Sequence, residues 1–115
     1  MHWFPYMAAF RAGSVSGTHW DYTNMGYYSF ASGIDTRASG NSSTALGSMT
    51  TASGQYSVSA GNQTVASGVS STALGTQTTA SGENATAMGR MTTADAKNST
   101  SLGRFKVGGG KTTTW

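Results

Sequence analysis

The chain has no cysteine, one proline and few charges: Asp, Glu, Lys and Arg together make up 10% of its 115 residues. Without cysteine there is neither a disulfide framework nor a thiolate metal site. No run of 18 apolar residues occurs, so nothing spans a membrane as a helix, and direct membrane insertion is not expected. Met1-His2-Trp3-Phe4-Pro5 lacks the basic and long apolar stretches of a secretory signal. If the parent protein is exported, this chain is expected to be a piece of it. The net charge of +3 is spread over Arg11, Arg37, Arg90, Arg104, Lys97, Lys106 and Lys111. A nucleic-acid partner normally requires a clustered basic face, so none is expected. Large aliphatic side chains are also scarce, and Ala, Ser, Thr and Gly dominate. A chain this poor in bulk needs repetition or partner chains to become stable.

What is present is a period. Gly26, Gly33, Gly40, Gly47, Gly54, Gly61, Gly68, Gly75, Gly82, Gly89, Gly103 and Gly110 fall on a seven-residue lattice, whose one other point is Ala96. Disordered low-complexity sequence does not hold such a phase. One backbone conformation is being repeated, which makes the chain a solenoid. These glycines are assigned to corners, where φ > 0 or close backbone packing demands them. A helix is a poor reading, because each Gly costs about 1 kcal/mol of helix propensity.

Four residues before most lattice glycines stands Ser or Thr, as at Ser43, Thr50, Ser57, Thr64, Ser71 and Thr78. Two before stands Ala, as at Ala31, Ala38, Ala45, Ala52, Ala66, Ala73 and Ala80. Period two is strand geometry, so these small residues share the face that fills a thin coil. One residue before the glycine, Leu46, Ala60, Leu74, Met88 and Leu102 alternate with Ser39, Ser53, Ser67, Ser81 and Asp95. The true repeat is therefore 14 residues in two unlike halves, and six such units fit between Tyr27 and Gly110. Each unit reads as one coil with two short strands.

The unlike halves give one sheet an apolar outer face and the other a hydroxyl-rich one. Leu46, Val58, Ala60, Leu74, Met88 and Leu102 form a stripe that a lone chain would show to water. Burying each Leu contributes about 1.5–3 kcal/mol, so self-association with closed symmetry is expected, with three chains one solution. The corner residues Tyr56, Gln63, Gln77, Glu83, Arg90 and Lys97 are the candidate outer contact surface.

Asn98-Ser99-Thr100-Ser101-Leu102-Gly103, Ser42-Ser43-Thr44-Ala45-Leu46-Gly47 and the intervening Thr50-Thr51-Ala52-Ser53-Gly54 resemble the repeat of the YadA-like head of trimeric autotransporter adhesins. The resemblance covers about residues 27–110. It implies an all-β, left-handed parallel β-roll, three chains around one axis, and a bacterial outer-membrane-anchored parent whose head attaches to a host surface or extracellular-matrix protein. Left-handedness comes from the resemblance alone, since right-handed crossovers are the general rule. Departures stand at Ala60, Asp95-Ala96 and Val107-Gly108-Gly109-Gly110.

The domain division expected is an aromatic N-terminal cap (1–26), the repeat head (27–110) and a tail or linker (111–115). Trp3, Phe4, Tyr6, Phe10, Trp20 and Tyr22 concentrate before the repeat, and a solenoid needs its first open edge covered. Catalysis and cofactors are not expected. Gly110-Lys111-Thr112 lacks the first glycine of a phosphate loop, Phe105 standing there. His19 and Asp21 lack further ligands for a metal, and Glu83 and Asp95 lack partner carboxylates. Two other functions fit a solenoid: a spacer of a phage tail fibre or other surface fibre, and ice binding. The latter would use the hydroxyl array of Thr51, Val65, Thr79 and Thr93 beside Ser53, Ser67 and Ser81.

Overall fold

The alternation of small and larger residues over five-residue stretches, broken every seventh position, produces strands too short to stand alone, which stack coil upon coil. In the computed structural model, which describes residues 2–4, 8–15, 17, 25–104 and 107–108, the strands fall into two sheets. The long sheet runs β1 (His2–Phe4), β2 (Ala9–Ser14), β3 (Phe30–Ile34), β5 (Thr44–Ser48), β7 (Val58–Asn62), β9 (Thr72–Thr76), β11 (Thr86–Arg90) and β13 (Thr100–Arg104). The short sheet runs β4 (Arg37–Ala38), β6 (Thr51–Ala52), β8 (Val65–Ala66), β10 (Thr79–Ala80), β12 (Thr93–Ala94) and β14 (Val107–Gly108).

Neighbouring strands of the repeat are parallel with a step of 14 residues, as in Leu74↔Met88 on the long sheet and Thr79↔Thr93 on the short one. The architecture is an all-β parallel solenoid of about five coils. Six were expected. Of the segment that would close the sixth, Phe105–Gly110, the described part is β14 alone.

Through the repeat the interior holds only small side chains. Ala31, Ala45, Ala73 and Ala87 from the long sheet and Ala38, Ala52, Ala66, Ala80 and Ala94 from the short one are fully buried. Ser43, Ser57 and Ser71 line one inner edge and Thr36, Thr50, Thr64, Thr78 and Thr92 the other. The shortest dimension of the molecule is 15 Å, which leaves no room for larger filling. The serines turn their hydroxyls back on the backbone: Ser43, Ser57 and Ser71 Oγ donate to the carbonyls of Gly40, Gly54 and Gly68 at 2.6–2.7 Å. Ser59 stands where Ala45, Ala73 and Ala87 do in other coils, and its Oγ meets Thr64 Oγ1 at 2.5 Å. The hydroxyls of Thr50, Thr78 and Thr92 have no such partner.

The glycine lattice precedes the sharpest turns. The left-handed positions are two residues later and carry side chains: Tyr28, Ser42, Tyr56, Ser70, Asn84 and Asn98 on one edge, Asp35, Met49, Gln63, Gln77 and Met91 on the other, all with φ of 53–61°. Glycine is required for a different reason at two kinds of site. Gly61 lies within β7 at φ 124°, and a Cβ there would stand 1.9 Å from the Gly75 carbonyl oxygen. Gly68 has no positive φ, yet its Cβ would stand 2.1 Å from the Gly82 carbonyl oxygen. The corners are thus sequence-tolerant, and the glycines let successive coils close onto one another.

At the N-terminal end, β2 pairs in parallel with β3 through Phe10↔Phe30 and Gly13↔Gly33, a step of 20 residues rather than 14. The coil stack therefore continues into the stretch read from sequence as non-repeating. β1 then pairs antiparallel with β2 and ends the sheet. Trp20 and Tyr22, and the tail 111–115, lie outside the described residues.

Arg11 occupies the interior at this end, in the ladder position of Ala31, and is fully buried. Its guanidinium donates to Ser29 Oγ at 2.8 Å, the Ala38 carbonyl at 3.1 Å and the Phe10 carbonyl at 2.9 Å. The Ala38 carbonyl lies on β4, the edge strand, and already accepts the Gly26 amide at 3.0 Å, so Arg11 adds a second donor to it. Burial pushes the guanidinium down to about 10, so it is charged at neutral pH.

Candidate interaction surfaces

Parallel pairing in register converts each repeat position into a straight ladder. On the outer face of the long sheet, Ser32, Leu46, Ala60, Leu74, Met88 and Leu102 follow one another from strand to strand. All are half-buried within the single chain. Beside them runs a second ladder of Phe10, Phe30, Thr44, Val58, Thr72, Thr86 and Thr100. Val58 thus belongs to this second ladder, two residues from Ala60 on the same face.

Phe10 and Phe30 are stacked, with ring centroids 5.0 Å apart and planes 13° from parallel, and Phe30 remains 40% exposed. They extend the apolar face to the N-terminal end of the sheet. The sequence places Phe30 within the repeat head but Phe10 in the aromatic cap of residues 1–26. The signal that places them is Gly13, whose φ of 125° equals that of Gly33, but the insertion of six residues takes Gly13 off the seven-residue lattice.

Each coil shows one residue of its short-sheet strand and the residue that follows the strand. Thr51, Val65, Thr79 and Thr93 are half-buried, whereas Ser53, Ser67, Ser81 and Asp95 beside them are exposed. This hydroxyl array is narrow, and Arg37 continues the Thr ladder at one end.

The six candidate contact residues separate. Tyr56, Glu83 and Lys97 stand on the connection leading from the short sheet to the long one, while Gln63 and Gln77 stand on the opposite connection. Arg90 is the last residue of β11, next to that second edge. Lys97 Nζ lies 3.3 Å from Glu83 Oε1, one coil away, and both side chains are well exposed. Such a surface pair contributes little. The two edges are therefore distinct surfaces, not one.

Both edges are held by backbone bonds between coils. On the first, the amides of Ser42, Tyr56, Ser70, Asn84 and Asn98 donate to the carbonyls of Tyr27, Asn41, Gln55, Val69 and Glu83 at 2.7–2.9 Å. On the second, Met49, Gln63, Gln77 and Met91 donate to Ile34, Ser48, Asn62 and Thr76 at 2.8–2.9 Å. The corners are as regular as the strands.

Among the described residues no cavity opens and no group of three metal-ligating side chains assembles. His19 and the Gly110-Lys111-Thr112 stretch lie outside them. What the molecule offers is extended surface.

A family model described as the YadA head domain repeat, in two copies, matches residues 26–48, 52–78 and 80–105. No curated protein and no solved structure matches the chain significantly.

Proposed function

The chain belongs to the family of YadA head domain repeats, and from that premise we propose that it is a non-catalytic adhesin head that assembles as a homotrimer and attaches its bearer to a host surface or matrix protein. The family implies a trimeric autotransporter adhesin-like role at the cell surface and is in general non-enzymatic. The observation that carries the finer reading is the unbroken outer ladder of Leu46, Ala60, Leu74, Met88 and Leu102 on the long sheet.

The physical argument is one of bulk. The interior is filled with Ala, Ser and Thr, so the larger aliphatics lie outside the coil. Covering one Leu contributes about 1.5–3 kcal/mol. Three long-sheet faces turned to a common axis bury every copy of the ladder, with Val58 and the stacked phenylalanines beside it. The short sheets and the edges then face outward and repeat around the axis. Attachment follows by multivalency: weak contacts on a stiff rod add when many copies engage together.

Light scattering on the purified chain, together with attachment of chain-coated beads to host-cell monolayers and immobilised matrix proteins, tests the reading. Three chains per particle and bead retention above uncoated controls are expected. A folded single chain removes the trimer, and trimers that leave beads unattached remove the adhesin role.

A further inference from the structure

The row of left-handed residues on the first edge is Tyr28, Ser42, Tyr56, Ser70, Asn84 and Asn98. Asn tolerates this backbone well, and Ser is a small side chain. Every coil has such a corner, and Met49, Gln63, Gln77 and Met91 take it on the other edge, so the turn itself does not select a large aromatic ring. Tyr28 and Tyr56 adopt it at φ 58° and 61° while remaining 72% and 57% exposed. Burial therefore does not explain their rings.

Their placement is regular. Equal backbone conformation launches both side chains alike, and the intervening Ser42 leaves a gap between them. Two strand spacings set the rings about 10 Å apart along the rod. Tyr27, 43% exposed, adds a third ring 6.5 Å from Tyr28. The neighbouring positions Asn41 and Gln55 are exposed amides; Asn41 Oδ1 accepts the Tyr27 amide at 3.1 Å, and its NH2 group is a donor. This stretch of the edge carries no charge, unlike its continuation at Glu83 and Lys97.

We propose that the Tyr27–Tyr28–Tyr56 edge is a binding site for an extended neutral polysaccharide, whose sugar rings stack on the tyrosines while its hydroxyls meet Asn41 and Gln55. A β-linked chain of pyranose rings places every second ring at about the separation of Tyr28 and Tyr56. It presents apolar C–H faces to aromatic rings and hydroxyls that both donate and accept. A proline-rich peptide is the competing occupant, but it docks in grooves between aromatic rings and offers carbonyls alone as its regular polar groups. Tyr28 and Tyr56 stand on an outer edge, and among the described residues no cavity opens beside them. The site rests on the display reading above and adds a ligand class to it.

Affinity electrophoresis in gels containing hydroxyethylcellulose or glucomannan, with pectin or heparin as acidic counterparts, tests the proposal. A proline-rich peptide is titrated in parallel. The variants are Tyr28→Ser and Tyr56→Ser, alone and together, since Ser42 and Ser70 show that this row accepts serine. Asn84→Tyr adds a ring at the same two-coil spacing beyond Tyr56. The neutral gels should retard the wild-type chain, each serine variant should weaken the interaction about tenfold, and Asn84→Tyr should strengthen it. No retardation in neutral gels, equal retardation of the double variant, or binding confined to the acidic polymers or the peptide would overturn it. Mass is measured on the same samples. Retardation of a single-chain particle would remove the trimer and keep the tyrosine site, whereas unretarded trimers would do the reverse.

Discussion

At Gly61 and Gly68 a single methyl group would collide with the backbone of the next coil, at 1.9 Å and 2.1 Å. Backbone cannot swing aside as a flexible side chain does, so the coil spacing itself would have to open. Gly61→Ala also forces an L side chain to φ 124°. It is expected to cost about 2–4 kcal/mol in denaturant unfolding, and Gly68→Ala somewhat less because only the collision applies. Replacing Ser57 tests a milder contact. Its Oγ bond to the Gly54 carbonyl is 2.6 Å long, and Ala85 fills the equivalent place one coil pair later without a hydroxyl. Ser57→Ala should therefore fold and lose about 1 kcal/mol.

The two sheets differ as elements because the residue before the lattice glycine alternates in class. Leu74 lies centrally in the long-sheet ladder, whereas Ser81 is the exposed residue that follows β10, in the row where Asp95 already stands. Leu74→Asp places a carboxylate in the proposed interface and is expected to give single chains by light scattering. Ser81→Asp should leave the mass unchanged. Equal disruption by both would mean that the long sheet is not the assembling face. Phe30→Asp belongs to the same test. Its stacking on Phe10 marks the N-terminal end of the apolar face, so it should weaken assembly as well.

For the whole molecule, the coil is the unit of addition and removal, as in other solenoids. Deleting Gln55–Gly68, one full repeat, joins Gly54 to Val69 and keeps every later residue on its own sheet. The shortened chain should fold, retain its mass class and lose about 4.8 Å of rod length by small-angle scattering. Deleting only Gln55–Gly61 joins the halves out of phase and carries Leu74, Met88 and Leu102 to the other sheet. That chain should fail to fold or aggregate. The contrast separates a 14-residue unit from a seven-residue one.

Period and phase were legible in the residues themselves, because a pattern of Ser/Thr, Ala and Gly at alternate positions has one mechanical solution, a thin coil of strands. The same pattern placed Leu46, Leu74, Met88 and Leu102 in one outward ladder. Tertiary structure decided what the lattice could not encode. Gly13 aligns with Gly33 across 20 residues, and no local pattern announces an insertion that the sheet absorbs. Arg11 enters the interior at the end of the stack and binds Ser29 Oγ and the Ala38 carbonyl, which also accepts the Gly26 amide, contacts that no local pattern announces. The sharpest turns fall on Tyr28, Met49 and Tyr56 rather than on glycine, because bonds between coils hold those residues in a conformation that their own preferences oppose. Opposite connections likewise separate Tyr56 from Gln63, seven residues apart in the chain. Sequence period fixes what repeats along a solenoid, whereas its ends and edges depend on contacts between residues far apart in the chain.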